Sequence, residues 1–195
     1  MKVLDAKFVT SAPRAGALPP AELPEAAFVG RSNVGKSSLI AALTGRKKLV
    51  RISRRPGCTQ MINLFSVRTD AGPLALVDLP GYGYAEAPAE ERRRWGPLIT
   101  SYLRNRTSLC LVVALFDPRR ALGDDDRGLI EMLADFGRPT VVVATKVDKL
   151  PKSKRKPAVS TIAAASGFDA LPFSAKTGEG ADDLWHVIGR ACGIV

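Results

Sequence analysis

The chain is poor in histidine, cysteine and aromatic residues, with one, three and 6% of its 195 residues respectively. The lone His186 falls in a helical stretch and reads as a surface or core residue, not as a catalytic base. Cys58, Cys110 and Cys192 are odd in number and widely spaced, which fits neither a disulfide framework nor a zinc site. Cys110, in mid-strand, reads as a small buried apolar residue. No apolar run approaches the roughly 20 residues of a membrane span, and the first residues lack the apolar core of a secretory signal. A reducing, cytoplasmic setting is the expectation. Internal repeats and low-complexity tails are absent as well.

Acidic residues are also scarce, 19 Asp and Glu against 29 Lys and Arg, for a net charge of +10. The excess is clustered. Arg46, Lys47, Lys48, Arg51, Arg54 and Arg55 share one stretch without an acid. Lys149, Lys152, Lys154, Arg155 and Lys156 form a second group, and Arg92, Arg93 and Arg94 a third. Such clustering suits a polyanionic partner, with nucleic acid favoured over membrane.

What is present begins with Gly30-Arg31-Ser32-Asn33-Val34-Gly35-Lys36-Ser37, the spacing of a phosphate-binding loop. Gly30 and Gly35 are expected to let the loop curl and its N–H groups approach phosphate oxygens. Lys36 would reach the outer phosphates and the Ser37 hydroxyl would ligate Mg²⁺. A short apolar run precedes the loop, and Ser38 to Leu43 reads as a helix whose N-terminal dipole faces the anion.

A strand near Ala6 to Val9 and a proline-rich lead-in precede this unit. Beyond it, a long basic loop from Gly45 to Gln60 leads to a hairpin at Ile62–Val67 and Leu74–Val77. Apolar strands follow at Leu109–Phe116 and Thr140–Ala144, with a short one near Leu171–Phe173. Helices are expected at about 89–104, 124–136, 153–166 and 182–191. Strands alternating with helices predict a mostly parallel, three-layer α/β sheet with one antiparallel hairpin. Residues 1–24 are expected to pack as an extension on a domain spanning 25–195. Ligands should meet the carboxyl ends of the strands.

Two further motifs end such strands. Asp78-Leu79-Pro80-Gly81 supplies a carboxylate for Mg²⁺ and, at Gly81, an N–H for the terminal phosphate. Thr145-Lys146-Val147-Asp148 supplies a carboxylate that matches two donors of guanine, which adenine lacks. Ser174-Ala175-Lys176 would offer the Ala175 N–H to the guanine oxygen. Thr59, in the basic loop near Gly57, is the expected residue closing over Mg²⁺ and the terminal phosphate. Asp117 could face the site or cap the following turn.

Together these elements resemble the translation-factor-like P-loop GTPases (TrmE-Era-EngA-EngB-septin-like). The finer matches resemble the EngB/YihA/YsxC family of bacterial ribosome-biogenesis GTPases. They are Glu25 to Leu43, Pro56 to Phe65, Asp78 to Ala85 with its doubled tyrosine, and Thr145 to Leu150. The resemblance implies a Ras-like fold, Mg²⁺-dependent turnover of GTP to GDP, and a monomer. It also implies a role in assembling the large ribosomal subunit through ribosomal RNA, linked to cell division. Tyr82 stands where Ras-like enzymes carry a water-orienting Gln, so intrinsic hydrolysis should be slow. Asn33 matches a position that holds K⁺ against the phosphates in related GTPases. Two other readings stay open: an RNA-binding assembly factor in which nucleotide is structural, and a P-loop ATPase or kinase, which Asp148 opposes.

Overall fold

The computed structural model describes residues 1–46, 49, 61–83 and 89–195, with backbone alone for 89–95. The strands are β1 (Val3–Ala12), β2 (Glu25–Gly30), β3 (Ile62–Thr69), β4 (Pro73–Asp78), β5 (Leu109–Phe116), β6 (Thr140–Ala144) and β7 (Ala170–Pro172). The helices are α1 (Lys36–Thr44), α2 (Ala89–Asn105), α3 (Asp124–Asp135), α4 (Lys152–Ser166) and α5 (Ala181–Ala191).

The described strands form one sheet ordered β1-β3-β4-β2-β5-β6-β7. Only β3 runs against the rest, pairing antiparallel with both β1 and β4. The four central pairings are parallel. The expected hairpin is therefore β3–β4. The N-terminal segment contributes more than the short strand expected, since β1 is ten residues long and forms the sheet edge.

β2 and β5 are buried on both faces because helices cover both sides of the sheet. Alternate residues point to opposite cores. Ala26 and Phe28 face Leu39, Ile40 and Leu43 of α1 and Leu184, Trp185 and Ile188 of α5. Ala27 and Val29 face Tyr102 and Leu103 of α2, Leu129 and Leu133 of α3, and Ile162 of α4. The Trp185 indole N–H donates to the Leu43 carbonyl at 3.1 Å, tying α5 to the end of α1. Gly45, at a left-handed φ of 65°, stops α1 there and returns its N–H to the Ala42 carbonyl. These contacts fix the helix that carries Lys36 and Ser37.

Candidate functional site

The strands β4, β2, β6 and β7 run parallel, with β5 between β2 and β6, so their carboxyl ends bring the four motifs to one end of the sheet. Gly35 serves the loop as expected, with a φ of 115° at the start of α1. Gly30 closes β2, and a Cβ there would sit 2.7 Å from the Leu115 carbonyl oxygen of β5 and 3.0 Å from Val34 Cγ1 of the loop. Its missing side chain lets β5 pack close under the loop.

Among the described residues, Asn33 (φ 63°) and Lys146 (φ 57°) are the non-glycine residues with positive φ. They touch. The Lys146 ammonium donates to the Asn33 carbonyl at 2.7 Å and lies 3.3 Å from an Asp117 oxygen. A left-handed non-glycine residue costs on the order of 1–2 kcal/mol, so the surrounding contacts must hold both. Thr145 helps. Its buried hydroxyl lies 2.9 Å from the Val34 carbonyl and 3.2 Å from that of Phe116, joining the base motif to the phosphate loop.

Asp78 is 6% exposed, and its Oδ2 accepts from the Ser37 hydroxyl at 3.3 Å. Oδ1 lies 3.9 Å from the Lys36 ammonium and has no hydrogen-bond partner among the described residues. Burial pushes the Asp78 carboxyl up, while Lys36 and the Ser37 hydroxyl pull the other way. A buried carboxylate with an orphaned oxygen beside a hydroxyl fits a hard divalent cation. Among the described residues no group of three or more His, Cys, Asp or Glu could hold a metal. A cation here would therefore complete its shell with phosphate oxygens and water, which is the habit of Mg²⁺.

At the base end, the Ser174 hydroxyl donates to Asp148 Oδ1 at 2.6 Å. This bond is the main reason the Asp148 carboxyl is held below its usual range. Ser174 is fully buried, and its oxygen also accepts the N–H groups of Lys176 and Thr177 at 3.3 and 3.2 Å. One hydroxyl thus orients the carboxylate and shapes the loop that presents Ala175. Asp117, the residue left open from sequence, does both things considered. It accepts the Arg119 N–H at the turn and also faces Lys146. Burial pushes its carboxyl up, but Arg119 and Lys146 outweigh that and lower it to about 2.

Gly81 rests against the phosphate loop, with the Ser32 hydroxyl 3.4 Å from its carbonyl oxygen. Tyr82 is turned inward and is 9% exposed. Its hydroxyl donates to Asp126 of α3 at 2.8 Å, so the side chain is tied to that helix. Burial and the Asp126 charge push the phenol far above its ordinary value. Ser38 and Asn33 are exposed at the loop, and His186 is exposed on α5. Gly57 and Thr59 lie outside the described residues, as does most of the first basic cluster. Cys110 is half-buried, and it and buried Cys192 carry free thiols.

The model of the 50S ribosome-binding GTPase family matches residues 25–146. A probable GTP-binding protein EngB of Geobacter sulfurreducens is 46% identical over 95% of this chain and 90% of its own length. Its counterpart in Pelobacter propionicus is 47% identical over 97% and 95%. Among solved structures, a probable GTP-binding protein engB superposes with a TM-score of 0.72 at 26% identity, covering 87% of this chain and 98% of its own. Era, solved in complex with MgGDPNP and a segment of 16S ribosomal RNA, shares the fold. Its TM-score is 0.70 at 21% identity, over 87% of this chain and 56% of that one. Enzymes of this family are GTP hydrolases that work with Mg²⁺, which accords with Asp78, a buried carboxylate with one oxygen unpartnered among the described residues, and with the guanine-type base motif. The chain belongs to the EngB family of P-loop GTPases.

Proposed function

We propose that this GTPase is a switch in large ribosomal subunit assembly, docking on the subunit or its precursor through ribosomal RNA in its GTP form. The observation carrying this reading is the continuity between base site and basic surface. Asp148 is followed by Lys149, and α4 opens with Lys152, Lys154, Arg155 and Lys156. Arg155 pairs with Glu179 at 2.6 Å. The four lysines are exposed, and none pairs with an acid among the described residues. The first turn of α4 holds no acidic residue. Cations at the positive end of a helix dipole cost roughly 0.3–1 kcal/mol each. Folding gains nothing from that arrangement, whereas a phosphate backbone would.

In this reading the loop from Gly30 to Ser38, including Arg31, Ser32, Val34 and Gly35, wraps the phosphates and Lys36 neutralises them. Thr145, Lys146, Asp148, Ser174, Ala175 and Lys176 select guanine. Ser37, Asp78 and Thr59, helped by Gly57, would hold Mg²⁺. When bound, that ion would supply charge to offset the negative charge that develops on the outer phosphates. The Gly81 N–H meets the terminal phosphate, so catalysis rests on positioning and charge, not on a protein base. Asn33, exposed on the lip of the loop, would hold K⁺, a cation able to stand in for an arginine finger. Equal GTP turnover in KCl and NaCl would sink that part.

Sedimentation with purified large subunits tests the main reading. Co-sedimentation should require a GTP analogue, and it should fade steeply with salt as Lys–phosphate contacts are lost. Association that ignores both nucleotide and salt would reject it.

A further inference from the structure

Three elements converge on the side of the phosphate loop facing α3: the loop itself at Arg31, the residue after Gly81, and the start of α3. Asp126 is buried at 3% exposure in the first turn of α3. Its Oδ2 accepts the Gly123 N–H at 2.9 Å, which caps the helix. A neutral Gln at this third helical position could accept such a bond, so capping alone does not call for a buried charge. The other oxygen, Oδ1, accepts the Tyr82 hydroxyl. Arg31, the second residue of the phosphate loop, lies 3.6 Å from Oδ2 and balances the charge. Gly83, at a left-handed φ of 68°, lies against the Arg31 guanidinium, where a Cβ would come within 2.9 Å of Nε.

Tyr82 is held by its backbone as well. Its carbonyl accepts the Ser32 N–H at 2.8 Å, and its own N–H points to the Gly30 carbonyl at 3.4 Å. Arg31 and Tyr82 thereby form a one-residue parallel bridge. The residue after Gly81 is thus fixed on both sides, by backbone to the phosphate loop and by side chain to α3. Gly81, between that anchor and β4, has little freedom left.

We infer that Tyr82 and Asp126, with Arg31 as counter-charge, form a latch that positions the Gly81 N–H for the terminal phosphate. Asp126, on a helix that carries no nucleotide motif, is then a positioning residue for GTP hydrolysis. The inference rests on the GTPase assignment and on the Gly81 role above. The residue at the water-orienting position then has a different function, because Tyr82 anchors the backbone beside the phosphate and leaves water to other groups.

The test uses the full chain with Tyr82→Phe, Asp126→Asn and the double variant. Tyr82→Phe removes only the hydroxyl. Asp126→Asn keeps volume but loses the charge facing Arg31 and cannot accept from both Gly123 and Tyr82. Each single variant should slow single-turnover GTP hydrolysis by about tenfold, the worth of one hydrogen bond to a charged group. The double variant should be no slower than the slower single one, because both break the same contact. GDP affinity, read by titration of a fluorescent GDP, should stay at the wild-type value. That binding depends on Asp148 and Lys36 and not on the latch, so the same titration checks the guanine-nucleotide assignment separately. Unchanged hydrolysis in Tyr82→Phe, multiplying effects in the double variant, or a parallel loss of GDP affinity would each overturn the latch.

Discussion

Asp78 illustrates how one residue can be unfavourable for folding and needed for function. Its carboxylate is buried with one oxygen unpartnered among the described residues, and its folded-state pKa is raised by desolvation. The charged form therefore weakens the nucleotide-free fold, and Asp78→Asn should melt at or above the wild-type temperature without nucleotide. The same variant should lose the Mg²⁺-dependent part of its GDP affinity, seen by titrating with and without a chelator. Asp117 behaves oppositely. Its folded-state pKa is lowered to about 2, so it stabilises above the ordinary carboxylate range, near 3.9, and that contribution fades as pH falls from about 4 towards 2. Asp117→Asn should flatten the melting temperature over that acid range. Asp148→Asn should exchange guanine for xanthine preference, measured by competition between GDP and XDP. Asp148 was legible in the sequence because its neighbours and its place after a strand carry the signal. Asp117 was legible only as two alternatives, because its contact with Lys146 comes from the loop after the neighbouring strand. The crowding of Gly30 by Leu115 of β5 escaped the sequence.

Among the elements, α2 shows how the helix beyond Gly81 is anchored at its far end. Arg138 donates to the Leu103 and Arg104 carbonyls at 2.7 and 2.8 Å, satisfying the last turn. Just past the helix, Arg106 grips the buried Glu25 carboxylate at the start of β2, donates to the Pro19 carbonyl, and shares Glu25 with the Tyr102 hydroxyl. Burial and the Glu25 charge push the Tyr102 phenol well up. One buried carboxylate thus joins the proline-rich lead-in, the strand before the phosphate loop and α2. Removing one partner of such a pair costs about 3–5 kcal/mol. Glu25→Ala should therefore lower the melting temperature substantially, by calorimetry, while GDP affinity at low temperature is kept. The apolar strands β5 and β6 could be read directly, because strands buried on both faces need continuous apolar runs. β1 was read short because it is an edge strand whose outer residues alternate in exposure, and nothing local says that it pairs with β3.

On the scale of the whole molecule, the sheet order brings four separated motifs to one end of the sheet and leaves the α4 lysines next to the base site. In the proposed function, docking through these lysines would place the RNA contact beside the guanine site, while the difference between GTP and GDP lies at the phosphate end, near Gly81 and Lys36. Replacing Lys149, Lys152, Lys154 and Lys156 by Ala should leave GDP affinity near wild type while weakening subunit association and flattening its dependence on salt. The spacing of the motifs made the nucleotide site readable before any fold was known. The lysine group that follows Asp148 was readable too, whereas the exposure of those lysines depends on how α4 packs. A switch requires coupling between the two sites, and coupling is reciprocal. The most direct measurement is therefore the affinity of the full chain for purified large ribosomal subunits, at one salt concentration, with a non-hydrolysable GTP analogue and with GDP. Tighter binding with the analogue, together with tighter analogue binding when subunits are present, is the predicted result. Equal affinity in the two nucleotide states would contradict the account.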